Sequence, residues 1–243
     1  MPRPLLCHSH IVVAVVVANG CAREDLRHAN RPAVTAKTSD EPGLAEARKS
    51  DECNWASPAD CLAIAEHHLS EGTAEGRQAA LGTFEKGCSA GNALACSNAG
   101  SLRAETASTP EDEQRVAELY ARACELGSAH GCGNLGSRYR LGRGVNQDTA
   151  EALRLYRKSC DTGSDIGCNN LGAMHRGGIG VKRDDALARD FYRKACDLRG
   201  GAGCANLADL MEAGAGGPVD EASAAALRTR ACEYGHQRSC RNQ

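Results

Sequence analysis

Cys160-Asp-Thr-Gly-Ser-Asp-Ile-Gly-Cys168 is the stretch that decides the fold. Two cysteines stand eight residues apart around a glycine-containing turn. The spacing recurs at Cys53/Cys61, Cys88/Cys96, Cys124/Cys132, Cys196/Cys204 and Cys232/Cys240. The first cysteines of the last five pairs lie 36 residues apart, and the step from Cys53 to Cys88 is 35. A fixed period of this length is the signature of a repeat solenoid.

Residues eight apart on one continuous helix are separated by ~12 Å along its axis. A disulfide needs Cα atoms ~4.4–6.8 Å apart. If the cysteines bond in pairs, the chain must reverse between them. Glu125-Leu-Gly-Ser128 and Asp161-Thr-Gly-Ser164 put a glycine where a helix C′ residue belongs, followed by a serine suited to N-capping. Each pair is then expected to staple the end of one helix to the start of the next, stabilising the fold by roughly 2–3 kcal/mol through loop closure. The rival reading is metal ligation. Zinc sites favour cysteines two to four apart with histidine partners, and the sequence has no C-x-x-C. Twelve cysteines permit many connectivities, and the spacing favours neighbours.

The rest of the composition narrows the class. Aromatic residues make up 3% of the 243-residue chain, which excludes a core built on Phe and Trp, while 27 glycines and abundant alanine favour closely packed helices. A net charge of −2 with well-mixed signs gives no reason to expect a nucleic acid or an anionic membrane surface as partner.

Arg3 followed by the apolar run Ile11–Ala18 reads as an export signal, too short to span a bilayer. The Gly20-Cys21 ending resembles a bacterial lipobox, whose cysteine is lipidated and becomes the mature N-terminus; Ala18 and Asn19 depart from the usual pattern, and an ordinary cleaved signal is the alternative. Fourteen cysteines, less Cys7 in the signal and Cys21 for the lipid, leave twelve, which is six pairs. So many spaced cysteines point to an oxidising compartment, the periplasm, the outer membrane or the extracellular space. The expected organisation is a signal over 1–21, a polar flexible tether over 22–50, and repeats over 51–243.

Each repeat is expected to hold two helices. The first starts near the second cysteine of a pair, as in Cys132-Gly-Asn-Leu-Gly-Ser-Arg-Tyr139; the second ends at the first cysteine of the next, as in Ala150–Cys160. In the latter, Ala152, Leu155, Tyr156 and Ser159 form one buried stripe. Gly-rich corners, Leu141-Gly-Arg-Gly-Val145 and Gly177-Gly-Ile-Gly-Val181, join the two. Ser57-Pro58 and Thr109-Pro110 read as helix starts. Five helix pairs fit between Cys61 and Cys232, with Cys53 and Cys240 pinning end segments.

Leu135-Gly-Ser-Arg-Tyr139 with Gly142-Arg-Gly-Val145 and Ala152-x-x-x-Tyr156 resembles the Sel-1-like repeat, a 36-residue relative of the tetratricopeptide repeat. The cysteine pair, giving Tyr-x-x-x-Cys followed by Gly-Cys-x-Asn-Leu-Gly, is similar to a cysteine-rich secreted bacterial subfamily. The match weakens in the first unit, where Ile64-Ala65 replaces Leu-Gly, and in the last, where Arg228 stands at the Tyr position. The resemblance implies an all-α fold, a right-handed solenoid of about five disulfide-stapled helix pairs, whose concave face binds a peptide or protein of the cell envelope. It also raises an alternative, because some members of that subfamily are labelled penicillin-binding proteins or slow β-lactamases.

Catalytic chemistry finds little to stand on. A serine β-lactamase needs Ser-x-x-Lys so that the hydroxyl can be deprotonated; the nearest form here is Thr83-Phe-Glu-Lys86, and Lys-Thr-Gly is absent. His67 and His68 are adjacent, about 100° apart on a helix, while His130, His175 and His236 are scattered over different repeats, so neither a metal nor a cofactor is expected. One polar feature recurs: asparagine two residues after the second cysteine, at Asn98, Asn134, Asn170 and Asn206, with Ala63 breaking the series in the first unit. Stacked repeats would align these amides along the first helices, where they could clamp an extended peptide backbone; alternatively each bonds a neighbouring helix or the Gly-rich corner. Position seven after the cysteine (His68, Arg103, Tyr139, His175, Met211) varies, either to tune a groove, with Tyr139 and His175 as ligand residues, or as packing variation. The cations Arg122, Arg157, Lys158, Arg193, Lys194 and Arg230 near the ends of second helices complement the helix dipole, with an anion-binding stripe as the rival.

Overall fold

The computed structural model describes residues 58–241. The expected signal, Cys21, the tether and Cys53 lie outside the described residues, as do the outer boundaries of the repeat region. Within them are eleven helices: α1 (Pro58–Ser70), α2 (Ala74–Ser89), α3 (Ala93–Thr106), α4 (Pro110–Glu125), α5 (Ala129–Leu141), α6 (Thr149–Asp161), α7 (Asp165–Gly177), α8 (Asp185–Asp197), α9 (Gly201–Glu212), α10 (Glu221–Glu233) and the short α11 (Gln237–Cys240). The chain is all-α and forms a right-handed solenoid. Five consecutive pairs, α1/α2 to α9/α10, make units one to five, and α11 closes the end.

The turn between units repeats one hydrogen-bond pattern. At the end of α4, Gly127 at φ 92° donates its N–H to the Cys124 carbonyl and Ser128 donates to Ala123. At the end of α6, Gly163 and Ser164 donate in the same way to Cys160 and Ser159. This is a Schellman cap, which satisfies the last carbonyls of a helix and turns the chain through a left-handed residue. The reversal brings each cysteine pair together: Cys88–Cys96, Cys124–Cys132, Cys160–Cys168, Cys196–Cys204 and Cys232–Cys240 are disulfides with Cα atoms 4.4–4.9 Å apart. Cys61 is also disulfide-bonded.

The expected start at Ser57 lies outside the described residues; of the others, those at Thr109 and Ser128 follow the expected chemistry and that at Ser164 does not. Thr109 caps α4 in a full capping box with Asp112, and Pro110 takes the first helical position. Ser128 caps α5 through Gly131 N–H. Ser164 makes no such bond at α7, because its hydroxyl lies 3.3 Å from His130 Nδ1 across the unit boundary.

Packing inside a unit relies on a glycine beneath a tyrosine. A Cβ on Gly136 would lie 2.8 Å from the Tyr156 ring, and one on Gly172 would lie 2.7 Å from that of Tyr192. The missing Cβ lets the two helices close on the ring, and Tyr120, Tyr156 and Tyr192 are among the largest fully buried side chains. Their hydroxyls keep partners where one is at hand: Tyr156 donates to Ser137 Oγ at 3.1 Å, and Tyr120 meets Ser101 Oγ at 3.2 Å. The core is therefore a row of small clusters threaded along the array, built on alanine, leucine, tyrosine and the disulfides.

Candidate functional site

The first helices of successive units pack on one another, α3 on α5, α5 on α7 and α7 on α9, more closely than the second helices of those units do. The array consequently curves toward its first helices, and their uncovered sides form the inner face. On α7 that side carries Ile166, Asn169, Asn170, Ala173 and Arg176, all partly or fully exposed between buried Cys168, Leu171, Gly172 and Met174.

The four asparagines stand in register on this face. Asn98, Asn170 and Asn206 are half-buried, and Asn134 keeps 7% of its surface. Asn206 donates its amide to Asn169 Oδ1 of the preceding unit at 2.8 Å. That bond crosses helices, as the packing alternative foresaw, but it runs to Asn169 and not along the Asn170 position. Among the described residues the side chains of Asn98, Asn134 and Asn170 make no hydrogen bond. None of their amide atoms is buried without a partner; among the described residues the one side-chain polar atom in that condition is His175 Nδ1. Three amides are therefore open to solvent or to a ligand, each offering a donor and an acceptor.

Tyr139 and His175 are not brought to this face. Each lies five residues after an asparagine, which on a helix is a rotation of ~140°. Tyr139 packs between two core clusters, and His175 is buried and stacked on Phe191 at 5.5 Å. Their backbone explains the recurrence of the position. The carbonyls of Tyr139, His175 and Met211 accept the N–H groups of Asp148, Asp184 and Asp220, which cap the following helices. The carbonyl closes the corner, so the side chain is left to fit its own surroundings. Arg103, at the same position, reaches Glu85 of α2 at 2.6 Å.

The N-terminal rim of the face holds one titratable pair. His130 on α5 and Asp165 on α7 face each other across the unit boundary. Burial pushes the His130 imidazole below its ordinary value against the pull of Asp165. Burial pushes the Asp165 carboxyl up, opposed by His130 and by backbone N–H groups. With Ser164 between them, the pair is a joint between units. His236 meets Ser239 Oγ at 2.8 Å. No group of three or more metal-ligating side chains is found among the described residues.

Of the cations at the ends of second helices, Lys158, Lys194 and Arg230 are engaged with the preceding unit, while Arg122 and Arg193 pair with Glu125 and Asp190 of their own helices. Lys158 Nζ reaches the Cys124 carbonyl at 3.2 Å, Lys194 reaches Asp161 at 3.7 Å, and Arg230 reaches Asp197 at 3.6 Å. Sequence reasoning placed these residues at helix ends and missed their cross-unit partners. The 36-residue offset between Lys158, Lys194 and Arg230, beside acids at the same offset, was the available signal.

A 36-residue helix pair with a Gly–Tyr contact and a glycine corner has a family counterpart. The profile of the Sel1 repeat matches residues 93–128, 129–164, 166–199 and 201–236, more than half of the chain. The chain belongs to the Sel1 repeat family. The four matched segments coincide with units two to five, each running from the start of a first helix to the turn after its partner. This Sel1 repeat protein is similar to the crystal structure of a protective antigen present in uropathogenic Escherichia coli strains, at 27% identity and TM-score 0.58, over 76% of this chain and 40% of that one. It thus spans well under two thirds of that antigen's length. It is also similar to a Sel1 repeat protein from Oxalobacter formigenes, at 23% identity and TM-score 0.60, covering 72% of this chain and 71% of the other. Cysteine-rich protein B of Helicobacter pylori matches at 29% identity and TM-score 0.46 over 56% of this chain and 98% of that one. No curated protein sequence matches the chain significantly. Sel1 repeats are scaffolds commonly used for protein binding, and units two to five provide that scaffold here.

Proposed function

We propose that this Sel1 repeat protein is a non-catalytic scaffold that holds an extended segment of a partner protein along its inner face, in the cell envelope. The observation that carries the reading is the register of Asn98, Asn134 and Asn170, three amides on one face without a protein partner. An extended chain exposes backbone donors and acceptors along its length, and amides satisfy both. Five disulfides support an exported protein. Attachment to a membrane through a lipid on Cys21, after removal of residues 1–20, is part of the same proposal. The β-lactam alternative is not carried forward, since it needs an activated serine and the sequence contains no Ser-x-x-Lys.

The test is panning of the oxidised protein against a displayed peptide library, followed by affinity measurement on the selected peptides. The double substitution Asn134→Ala/Asn170→Ala is expected to weaken binding at least tenfold while thermal unfolding stays within a few degrees. Undiminished binding by that variant would remove the amide clamp. The anchor is read separately, from the intact mass of protein recovered from its native envelope: a diacyl- or triacylglyceryl adduct on Cys21 supports it, and an unmodified or differently cleaved N-terminus ends it.

A further inference from the structure

Resting on that reading of the inner face, we infer that the bound segment is acidic. It presents two carboxylates three residues apart, received by Arg140 and Arg176. These arginines hold the same place in units three and four, 36 residues apart, each six residues beyond an open asparagine. Six residues on a helix is a rotation of ~120°, so in unit four Asn170 and Arg176 flank the exposed Ala173, while in unit three the residue between Asn134 and Arg140 is Ser137, turned inward to the Tyr156 hydroxyl.

Both arginines lack an ion-pair partner among the described residues, whereas several others on the same array are held by carboxylates. Arg138, two residues before Arg140, is buried against Glu113 and lies over the Tyr120 ring. Arg103, Arg154, Arg183, Arg193 and Arg228 all have carboxylates. Arg176 lies near Asp185, but that carboxylate is held by Arg183 at 2.8 Å. It also lies beside the Tyr192 hydroxyl, a neutral group.

The flanking units bound the positive stretch. The equivalent position is Ala104 on α3 and Glu212 on α9, and Glu212 with Asp209 is already bound to Arg228. The free guanidinium at this position is therefore confined to units three and four, with an alanine and an already paired glutamate on either side, which positions an acidic segment over the middle of the face.

The spacing follows from helix packing. Axes of packed helices lie ~8–10 Å apart. A polyproline II segment rises ~3.1 Å per residue with three residues per turn. Its same-side residues recur every ~9 Å, so carboxylates at i and i+3 meet successive first helices. The backbone of such a segment is fully solvated, which leaves its amides free for Asn134 and Asn170.

The test uses fluorescence anisotropy with the oxidised protein and labelled proline-rich peptides. One carries Asp at i and i+3, one has Asp at i and i+1, and one has Asn at i and i+3. The i,i+3 acidic peptide is expected to bind at least tenfold more tightly than either, and to weaken as salt screens the pairs. Arg140→Gln/Arg176→Gln is expected to erase that preference while leaving the neutral peptide's affinity unchanged. Equal binding of acidic and neutral peptides, or a preference that survives in the arginine variant, overturns the inference. Asn134→Ala/Asn170→Ala separates the two readings: it should weaken all three peptides alike. Absence of binding by every peptide removes the peptide-binding face and the acidic preference with it.

Discussion

In units two, three and four the first helix presents Gly100, Gly136 or Gly172 to the ring of Tyr120, Tyr156 or Tyr192. In unit five the same places are held by Ala208 and Arg228, and the residue after the alanine is Asp209, which binds Arg228 at 3.0 Å. Three residues have changed together. Where a flat ring is buried, the facing residue has no Cβ and the next one is a small hydroxyl or alanine. Where an arginine stands, there is room for a methyl and a need for a carboxylate. Unit one takes a third solution, with Ala65 and Phe84 buried in one cluster. The middle of the array can exclude water from a tyrosine because units stack on both sides. Among the described residues the last unit is covered on its far side only by the four-residue α11, so a charged pair is tolerated there.

The disulfides should show the largest contrast between middle and end. Cys160→Ser/Cys168→Ser removes a staple between two full units, and is expected to cost roughly 2–3 kcal/mol by loop closure. Cys232→Ser/Cys240→Ser frees only α11, so its effect on the main unfolding transition should be smaller. Chemical denaturation of both variants reads the difference. Equal midpoints would mean that the middle staple constrains no more chain than the last one.

Next comes the glycine under the ring. Gly172→Ala puts a methyl against Tyr192 in a packed interior, and is expected to destabilise by about 1–3 kcal/mol. In unit five the reverse exchange tests whether the three positions act as a set. Arg228→Tyr alone meets the Ala208 methyl and leaves Asp209 without its partner. Adding Ala208→Gly and Asp209→Ser should recover stability beyond the sum of the separate changes by about 1 kcal/mol, the range of coupling between touching residues. Additivity within error would show that the three residues vary independently.

Much of this was legible in the sequence because it repeats. The 36-residue period located every described unit, the turn residues located the reversals, and the reversals selected the neighbour disulfides among all connectivities. Legibility stopped where one helix meets another. The asparagine register was visible, but the bond from Asn206 to Asn169 depends on how α9 is rotated against α7. Ser164 had the right type and place to cap α7, and lost that role to His130 on a neighbouring helix. The opposite-facing positions of Tyr139 and Asn134 were within reach of simple helical arithmetic. Their grouping rested on recurrence alone, and the recurrent element at Tyr139 proved to be its carbonyl.

A smaller effect separates the turn after unit four from the turns after the other units. Gly91, Gly127, Gly163 and Gly235 all adopt positive φ, whereas the equivalent residue after α8 is Arg199 at φ 66°. A side chain in the left-handed region costs roughly 1–2 kcal/mol. Part of that is offset here, since the Arg199 guanidinium lies 5.1 Å from the Tyr234 ring centroid. Arg199→Gly is therefore expected to stabilise by less than about 1 kcal/mol, and Gly163→Ala to destabilise by about 1 kcal/mol. Opposite shifts in the two melting curves would establish the turn conformation as their common cause.

The smallest contrast is electrostatic and lies at the start of α4. Asp112 receives the N–H groups of Ser108 and Thr109 and closes the capping box with the Thr109 hydroxyl. The Ser108 N–H, then the Thr109 hydroxyl and N–H, hold its carboxyl below the usual value. A carboxyl whose folded pKa is depressed stabilises the fold above its unfolded pKa, and that contribution is lost as pH falls through the folded value. The loss should therefore begin near pH 4, the ordinary aspartate range, and be complete below the depressed folded pKa. Asp112→Asn cannot ionise, so it should lower stability at pH 7 and show no further loss from this site in acid. The gap between wild-type and variant denaturation midpoints should close as pH drops from 5 toward 2. A gap that stays constant over that interval would mean that the Asp112 charge contributes nothing to the cap.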